Sequence, residues 1–284
     1  MRRTLLAVAV ALAVGCGTGR VDPAAASTPQ RIVSMAPSLT EILFALDVGD
    51  RVVGVTSYCD YPPAARERAK IGGFVNPSVE AIVALKPDLV LVSPAAGNRD
   101  SALAVRAAGV RLEVVPAETL ADTYDAIRKV AALCGVEERG EALERATRER
   151  IARVVARVAA APRVPALFCL QVDPLIAAGR GTLPAELMEL AGASNVVEAE
   201  RYPVVGIESI LARAPEVILQ SRMDTTDPSA DAATVEYWNR WTSIPAVRDK
   251  RVLVFDGTSS LRAGPRVADA VELLARALHP EIPA

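Results

Sequence analysis

From Arg31 onward the chain alternates between two hydrophobic periods. Short runs of consecutive apolar residues, Ile32–Ser34, Val52–Thr56, Leu89–Ser93 and Leu112–Val115, read as strands buried on both faces of a mostly parallel sheet. Between them apolar residues recur at helical spacing, as in Leu39, Ile42, Leu43 and Leu46. Ser38-Leu39-Thr40-Glu41 has the form of a capping box opening that helix. This alternation predicts an α/β lobe over residues 31–120. Residues 121–162 are helical in pattern and dense in charge (Glu141, Glu144, Arg145, Arg148, Glu149, Arg150), and Cys134-Gly135 is expected to divide them into two helices. A second α/β lobe over 163–284 takes up the strand pattern at Ala166 and closes with a helix around Ala268–Leu278.

An internal echo supports two lobes of similar plan. The segment Val79-Glu80-Ala81-Ile82-Val83-Ala84-Leu85-Lys86-Pro87-Asp88-Leu89-Val90-Leu91 returns 128 residues later as Ile207-Glu208-Ser209-Ile210-Leu211-Ala212-Arg213-Ala214-Pro215-Glu216-Val217-Ile218-Leu219. Each copy reads as a short helix, a proline-acid turn that forbids continuation, and a buried strand. Glu80 and Glu208 take the same helical position. Asn76-Pro77 reads as an N-cap with proline at the first helical position, and Gly206 as the cap before Glu208. A carboxylate in a first turn gains about 0.3–1 kcal/mol from the helix dipole, so a local role for both acids stands beside any functional one.

At the N-terminus, Arg2 and Arg3 precede an apolar run from Leu5 to Val14. Ten residues of helix cover about 15 Å, half of a hydrocarbon core, which suits a signal-peptide core rather than a span. Leu12-Ala13-Val14-Gly15-Cys16 resembles a bacterial lipobox, so residues 1–16 are expected to be a lipoprotein signal with Cys16 acylated, and 17–30 a flexible tether. The alternative is ordinary cleavage after Ala24-Ala25-Ala26. Export places Cys59, Cys134 and Cys169 in an oxidising compartment, where three cysteines allow at most one internal disulfide, with no pair indicated.

Composition narrows the function classes. Apolar residues are 51% and charged ones 23%, as in a globular chain. The net charge of −2 and scattered arginines give no basic stripe for nucleic acid. No nucleophile elbow, phosphate loop, dinucleotide fingerprint or HExxH zinc motif is present. The single histidine, His279, sits beside Pro280 near the C-terminus, where a frayed tail is expected to be a poor catalytic platform. An exported hydrolase would have to use it, and zinc or manganese import needs several imidazoles. The chain is therefore expected to be no enzyme and to carry no cofactor or metal of its own. Tyr237, Trp238 and Trp241 are spaced to anchor a helix to the second core.

The segments Ser34–Glu41, Gly54–Pro63, Glu80–Val90, Glu208–Pro215 and Arg262-Ala263-Gly264-Pro265-Arg266, in this order, resemble the substrate-binding proteins of bacterial ABC importers for cobalamin, siderophores and haem, most of all those for cobalamin. The resemblance spans roughly 31–278. It implies two α/β lobes joined by one long helix within the 121–162 region, a preformed cleft, and a monomer that delivers a bulky ligand to a permease dimer. It further implies that Tyr58, Phe74 and Tyr202 meet a corrin ring, that Gly97-Asn98 border the cleft, and that Pro37-Ser38 face it from a helix start. Flat macrocycles bury much area against rigid rings at small entropic cost. Ser259 and Ser260 stand where the family has aromatics, and Pro94 and Ile176 replace two others; a ferric siderophore or haem is the alternative ligand. Arg262 offers a cation to a phosphate, propionate or carboxylate, or else forms a surface ion pair. Cys59 is expected to be packed rather than to act as a soft metal ligand. The resemblance also gives Glu80 and Glu208 the task of docking one lobe each onto permease arginines.

Overall fold

The computed structural model describes residues 28–95, 97–222, 228–257 and 262–282. Cys16, Ser259 and Ser260 lie outside them. Among the described residues two five-stranded sheets carry eleven helices.

The first sheet comprises β1 (Ile32–Ser34), β2 (Val52–Val55), β3 (Ala69–Lys70), β4 (Leu89–Val92) and β5 (Leu112–Val114), all parallel, in the order β3-β2-β1-β4-β5. The helices are α1 (Pro37–Ala45), α2 (Pro63–Arg66), α3 (Val79–Ala84), α4 (Arg99–Ala107) and α5 (Leu120–Cys134). β4 shows why an unbroken apolar run was required. Leu89 and Leu91 pack with Leu39, Ile42 and Ile127 of α1 and α5, whereas Val90 and Val92 pack with Ile82 and Val105 of α3 and α4. The strand order reverses between β1 and β4, so their carboxyl ends open a crevice at Met35–Ser38 and Ser93–Asn98.

The second sheet runs β10 (Val252–Asp256), β9 (Val217–Arg222), β6 (Val164–Val172) and β7 (Leu175–Ala177), with β8 (Ala193–Asn195) also on β6. Only β7 is antiparallel. One face meets α7 (Leu183–Leu190) and α11 (Val267–Leu278) around Phe168, Leu187, Leu219 and Leu274. The other meets α8 (Ile207–Arg213), α9 (Pro228–Asn239) and α10 (Pro245–Arg248) around Leu167, Ile218 and a fully buried Trp238. The Trp238 indole donates to Gln220 Oε1 at 3.2 Å, which anchors α9 as its spacing predicts.

Gly135 adopts φ 67° and ends α5 at the predicted break. Twenty-two residues of α6 (Glu137–Val158), about 33 Å of helix, then join the lobes. Its Leu143 packs on the first core, and Ile151, Val154 and Val158 belong to the second. Arg150 pairs with Asp269 (2.5 Å) and Glu272 (3.1 Å) of α11. No helix among the described residues is long and apolar enough to cross a membrane.

The echo extends to the backbone. Lys86 and Ala214, at matching places before Pro87 and Pro215, both take φ 46°. The caps differ from expectation at α3: Ser78, not Asn76, is the N-cap, and its hydroxyl accepts from Ala81 N at 3.1 Å. Gly206 does cap α8.

Candidate functional site

The site is built where the carboxyl ends of the two sheets approach. Segment 262–266, which follows β10, lies on the loops after β1 and β2. Gly264 lies against the start of α1: a Cβ built on it would be in ordinary contact with Ser38 O (3.5 Å) and Glu41 Oε2 (3.6 Å). Pro37 opens α1, but Ser38 is covered by this contact and is 7% exposed.

Glu41 does not form the capping box. α1 is capped at Ala36 without a side-chain bond, and the Glu41 carboxylate is drawn across the interface instead. Oε1 and Oε2 accept Arg266 Nη2 at 2.7 Å and Nε at 2.9 Å, a bidentate pair. Arg262 Nη1 adds a contact of 3.3 Å to Glu41 and one of 2.6 Å to Asp60. Its Nη2 donates to Tyr58 O at 3.1 Å. Arg262 therefore forms ion pairs with protein carboxylates, the second of its expected roles, but across the lobe interface and mostly buried rather than at the surface. Burial works to raise the Asp60 pKa, but the Arg262 hydrogen bond and charge outweigh it and hold the carboxyl below its ordinary value.

Two tyrosines flank this interface, one per lobe. Tyr58, on the loop between β2 and α2, is 46% exposed. Beneath it the Cys59 thiol receives Thr40 Oγ1 at 3.1 Å and lies 3.1 Å from Thr56 Oγ1. Burial pushes that thiol's pKa up, and Cys59 is packed in the first core, as expected. Cys59, Cys134 and Cys169 are all free and buried. Tyr202 is 42% exposed. Its neighbour Arg201, at φ 63°, reaches Glu118 of the first lobe at 2.8 Å and forms a second tie between lobes.

The remaining first-lobe residues order the rim. Phe74 is half-buried against the core that holds Cys59. Gly97 is exposed, and a Cβ there would come within 2.8 Å of Val75 O, so two rim loops touch at this point. Asn98 is 1% exposed and its amide is used inside its own loop, accepting from Ala95 N at 3.0 Å and donating to Ser93 O at 2.9 Å. Its side chain thus shapes the rim. Beyond the rim, a crevice of about 550 Å³ between α5, α6 and α7 is lined by Leu120, Tyr124, Arg148, Arg163, Glu186 and Leu190, none of them a residue expected at the ligand site.

Glu80 and Glu208 are both exposed in first turns. Ser78 N bonds Ile71 O and Val205 N bonds Leu175 O, which sets both helix starts at the carboxyl ends of their sheets. The Glu80 backbone N–H and the Ser78 hydroxyl hold the Glu80 carboxyl below its ordinary pKa.

His279 departs from expectation. It ends α11 at 2% exposure, and Ile282 folds back to bond its carbonyl and pack on the second core. The tail is not frayed, because this apolar residue has a core to join. The cavity beside the imidazole is lined by Arg157, Val158, Ala275, Arg276 and Ile282, so it offers no nucleophilic hydroxyl or thiol. Among the described residues no group of three or more His, Cys, Asp or Glu is placed to hold a metal ion.

In the sequence Glu41, Asp60 and Arg266 stand only as parts of motifs, and Glu118 and Arg201 carry no signal of their own. Nothing in local spacing shows a pairing 225 residues apart.

With this geometry in place, the relatives can be weighed. The periplasmic binding protein family profile matches residues 32–258. A vitamin B12-binding protein of Vibrio cholerae is 31% identical over 247 residues, 86% of this chain and 87% of its own. An uncharacterized ABC transporter substrate-binding lipoprotein of Bacillus subtilis is 30% identical, over 89% of this chain and 81% of its own. Among solved structures, a periplasmic heme binding protein from Pseudomonas aeruginosa aligns with a TM-score of 0.83 at 29% identity, covering 90% of this chain and 94% of that one. The periplasmic vitamin B12 binding protein of Vibrio cholerae aligns at 0.77 with 30% identity, covering 89% and 98%. On the extent of these matches, the chain belongs to the periplasmic binding protein family.

Proposed function

We propose that this chain is the exported substrate-binding component of an ABC importer, capturing cobalamin or a related corrinoid between its lobes and handing it to a membrane permease. Acylation at Cys16 would hold it at the membrane as a monomer, and Glu80 and Glu208 would dock one lobe each. The observation that carries the reading is the pair of half-exposed tyrosines, Tyr58 and Tyr202, one on each lobe beside the interlobe ties. A rigid ring on each lobe suits a broad macrocycle. The arginines at this interface, Arg201, Arg262 and Arg266, are each paired with a protein carboxylate. Such walls favour a corrinoid over a ligand held mainly by its carboxylates.

Haem is the second reading, favoured by the TM-score of 0.83 to the Pseudomonas haem binder; a tyrosine oxygen is a known axial ligand to haem iron. Titration with cobalamin and with haemin, followed by visible absorbance and calorimetry, separates the two. We expect saturable one-to-one cobalamin binding, weakened about tenfold by Tyr58→Ala and by Tyr202→Ala. Tight haemin binding without cobalamin binding would replace the corrinoid reading with the haem one.

A further inference from the structure

The cluster of Glu41, Asp60, Arg262 and Arg266 joins two sequence motifs, 34–41 and 262–266, whose part in the molecule ligand contact alone leaves open. Glu41 stands on the second turn of α1, a helix fixed by the fully buried Leu39, Ile42 and Leu43. Its side chain is 2% exposed, and all three of its donors come from the second lobe. A carboxylate so enclosed is stable only while those donors are present, since water cannot replace them without the lobes moving apart. Arg266 is equally fixed. It is the N-cap residue of α11, whose inner face belongs to the second core, and its guanidinium lies 4.2 Å over the Tyr61 ring. Arg262 carries the tie onward to Asp60 Oδ1 and to the carbonyl of Tyr58.

The tie through Arg201 is of a different kind. Arg201 and Glu118 have side chains 59% and 47% exposed, so solvent screens their attraction. The Glu41 cluster is thus a buried charged tie between the lobes, and Arg201–Glu118 an exposed one.

We infer that Glu41 is a positioning residue for ligand binding: through Arg262 and Arg266 it fixes the spacing of the lobes and the seat of the Tyr58 loop, and so sets how long a ligand stays. Glu41 touches no ligand itself. This rests on the interlobe cleft being the ligand site.

The test uses the full chain carrying Glu41→Gln, which keeps side-chain volume and removes the charge. Small-angle scattering of the unliganded protein should show a larger radius of gyration than wild type. Cobalamin dissociation, followed by stopped flow, should speed up about tenfold, with association changed less than about twofold, because loss of charge-assisted bonds acts chiefly on escape. A variant that is folded by circular dichroism, with scattering and dissociation both as in wild type, would overturn the inference. If wild type fails to bind cobalamin, the corrinoid reading falls, and the scattering comparison alone still decides whether Glu41 fixes the lobes. If Glu41→Gln does not fold, Asp60→Asn carries the test, since Asp60 is half-exposed and its loss leaves the Glu41–Arg266 pair in place. It should raise the dissociation rate about threefold and speed hydrogen exchange at the 58–61 amides. Unchanged values for both would be equally decisive against the role.

Discussion

Gly179 shows how one missing side chain places another residue. A Cβ there would sit 2.0 Å from Ala199 O, and the Gly179 N–H donates to Arg201 O at 2.8 Å. Ala177 N to Pro203 O and Arg180 N to Ala199 O complete the contact, so segment 177–180 is the bed on which the Tyr202 loop lies. The loop is pressed onto backbone rather than onto flexible side chains and cannot yield locally. Gly179→Ala is therefore expected to cost about 1–3 kcal/mol of stability, as overpacking does, read from urea denaturation. It should also weaken cobalamin binding about tenfold, because Tyr202 and Arg201 move with the loop. Stability lost at unchanged affinity would separate Tyr202 from the ligand.

At the scale of elements, the sequence was legible wherever periodicity or backbone chemistry acts locally. The buried strands, the break at Gly135, the echo around Glu80 and Glu208 and the anchoring of Trp238 are all of this kind. It misled where a side chain had a stronger partner far away. Ser38–Glu41 has the letters of a capping box, yet two arginines of the other lobe outcompete the local backbone for Glu41. Sequence does not show that Arg262 pairs with Asp60 and Glu41, which are distant along the chain, or that Asn98 is bonded within its loop, which composition does not record. The capping box that forms is at α5. Thr119 Oγ1 accepts Asp122 N at 3.1 Å and Asp122 Oδ2 accepts Thr119 N at 3.0 Å. Glu186 of α7 accepts the next orphan donor, Leu120 N, at 2.8 Å, so the start of α5 is closed from the second lobe as well. Thr119→Ala should cost about 1 kcal/mol, measured as a lower thermal midpoint, with ligand affinity unchanged. A fall in affinity would show that the helix start belongs to the binding surface.

For the whole molecule, the two-lobed plan puts one exposed acid on each lobe at equivalent places. Glu80 and Glu208 follow carboxyl-end loops of their own sheets and precede the matched pair of φ 46° turns, so they sit alike in two similar frames. A favourable first-turn place in the helix dipole accounts for each acid singly but not for their recurrence at one position in both lobes. A permease made of two like subunits would meet such a pair symmetrically, with each carboxylate facing the same basic surface. Exposed charges of this kind govern capture and orientation more than depth of binding, and their effect falls as salt rises. Glu80→Ala combined with Glu208→Ala is accordingly expected to lower the rate of corrinoid uptake by cells about tenfold at low salt, with either single change intermediate. Ligand affinity of the isolated protein should stay at the wild-type value, since neither acid is among the residues proposed to hold the ligand. Uptake that is insensitive to the double change would leave the two acids as helix starts alone, and loss of affinity would move them into the binding site; the docking role requires that uptake fall while affinity holds.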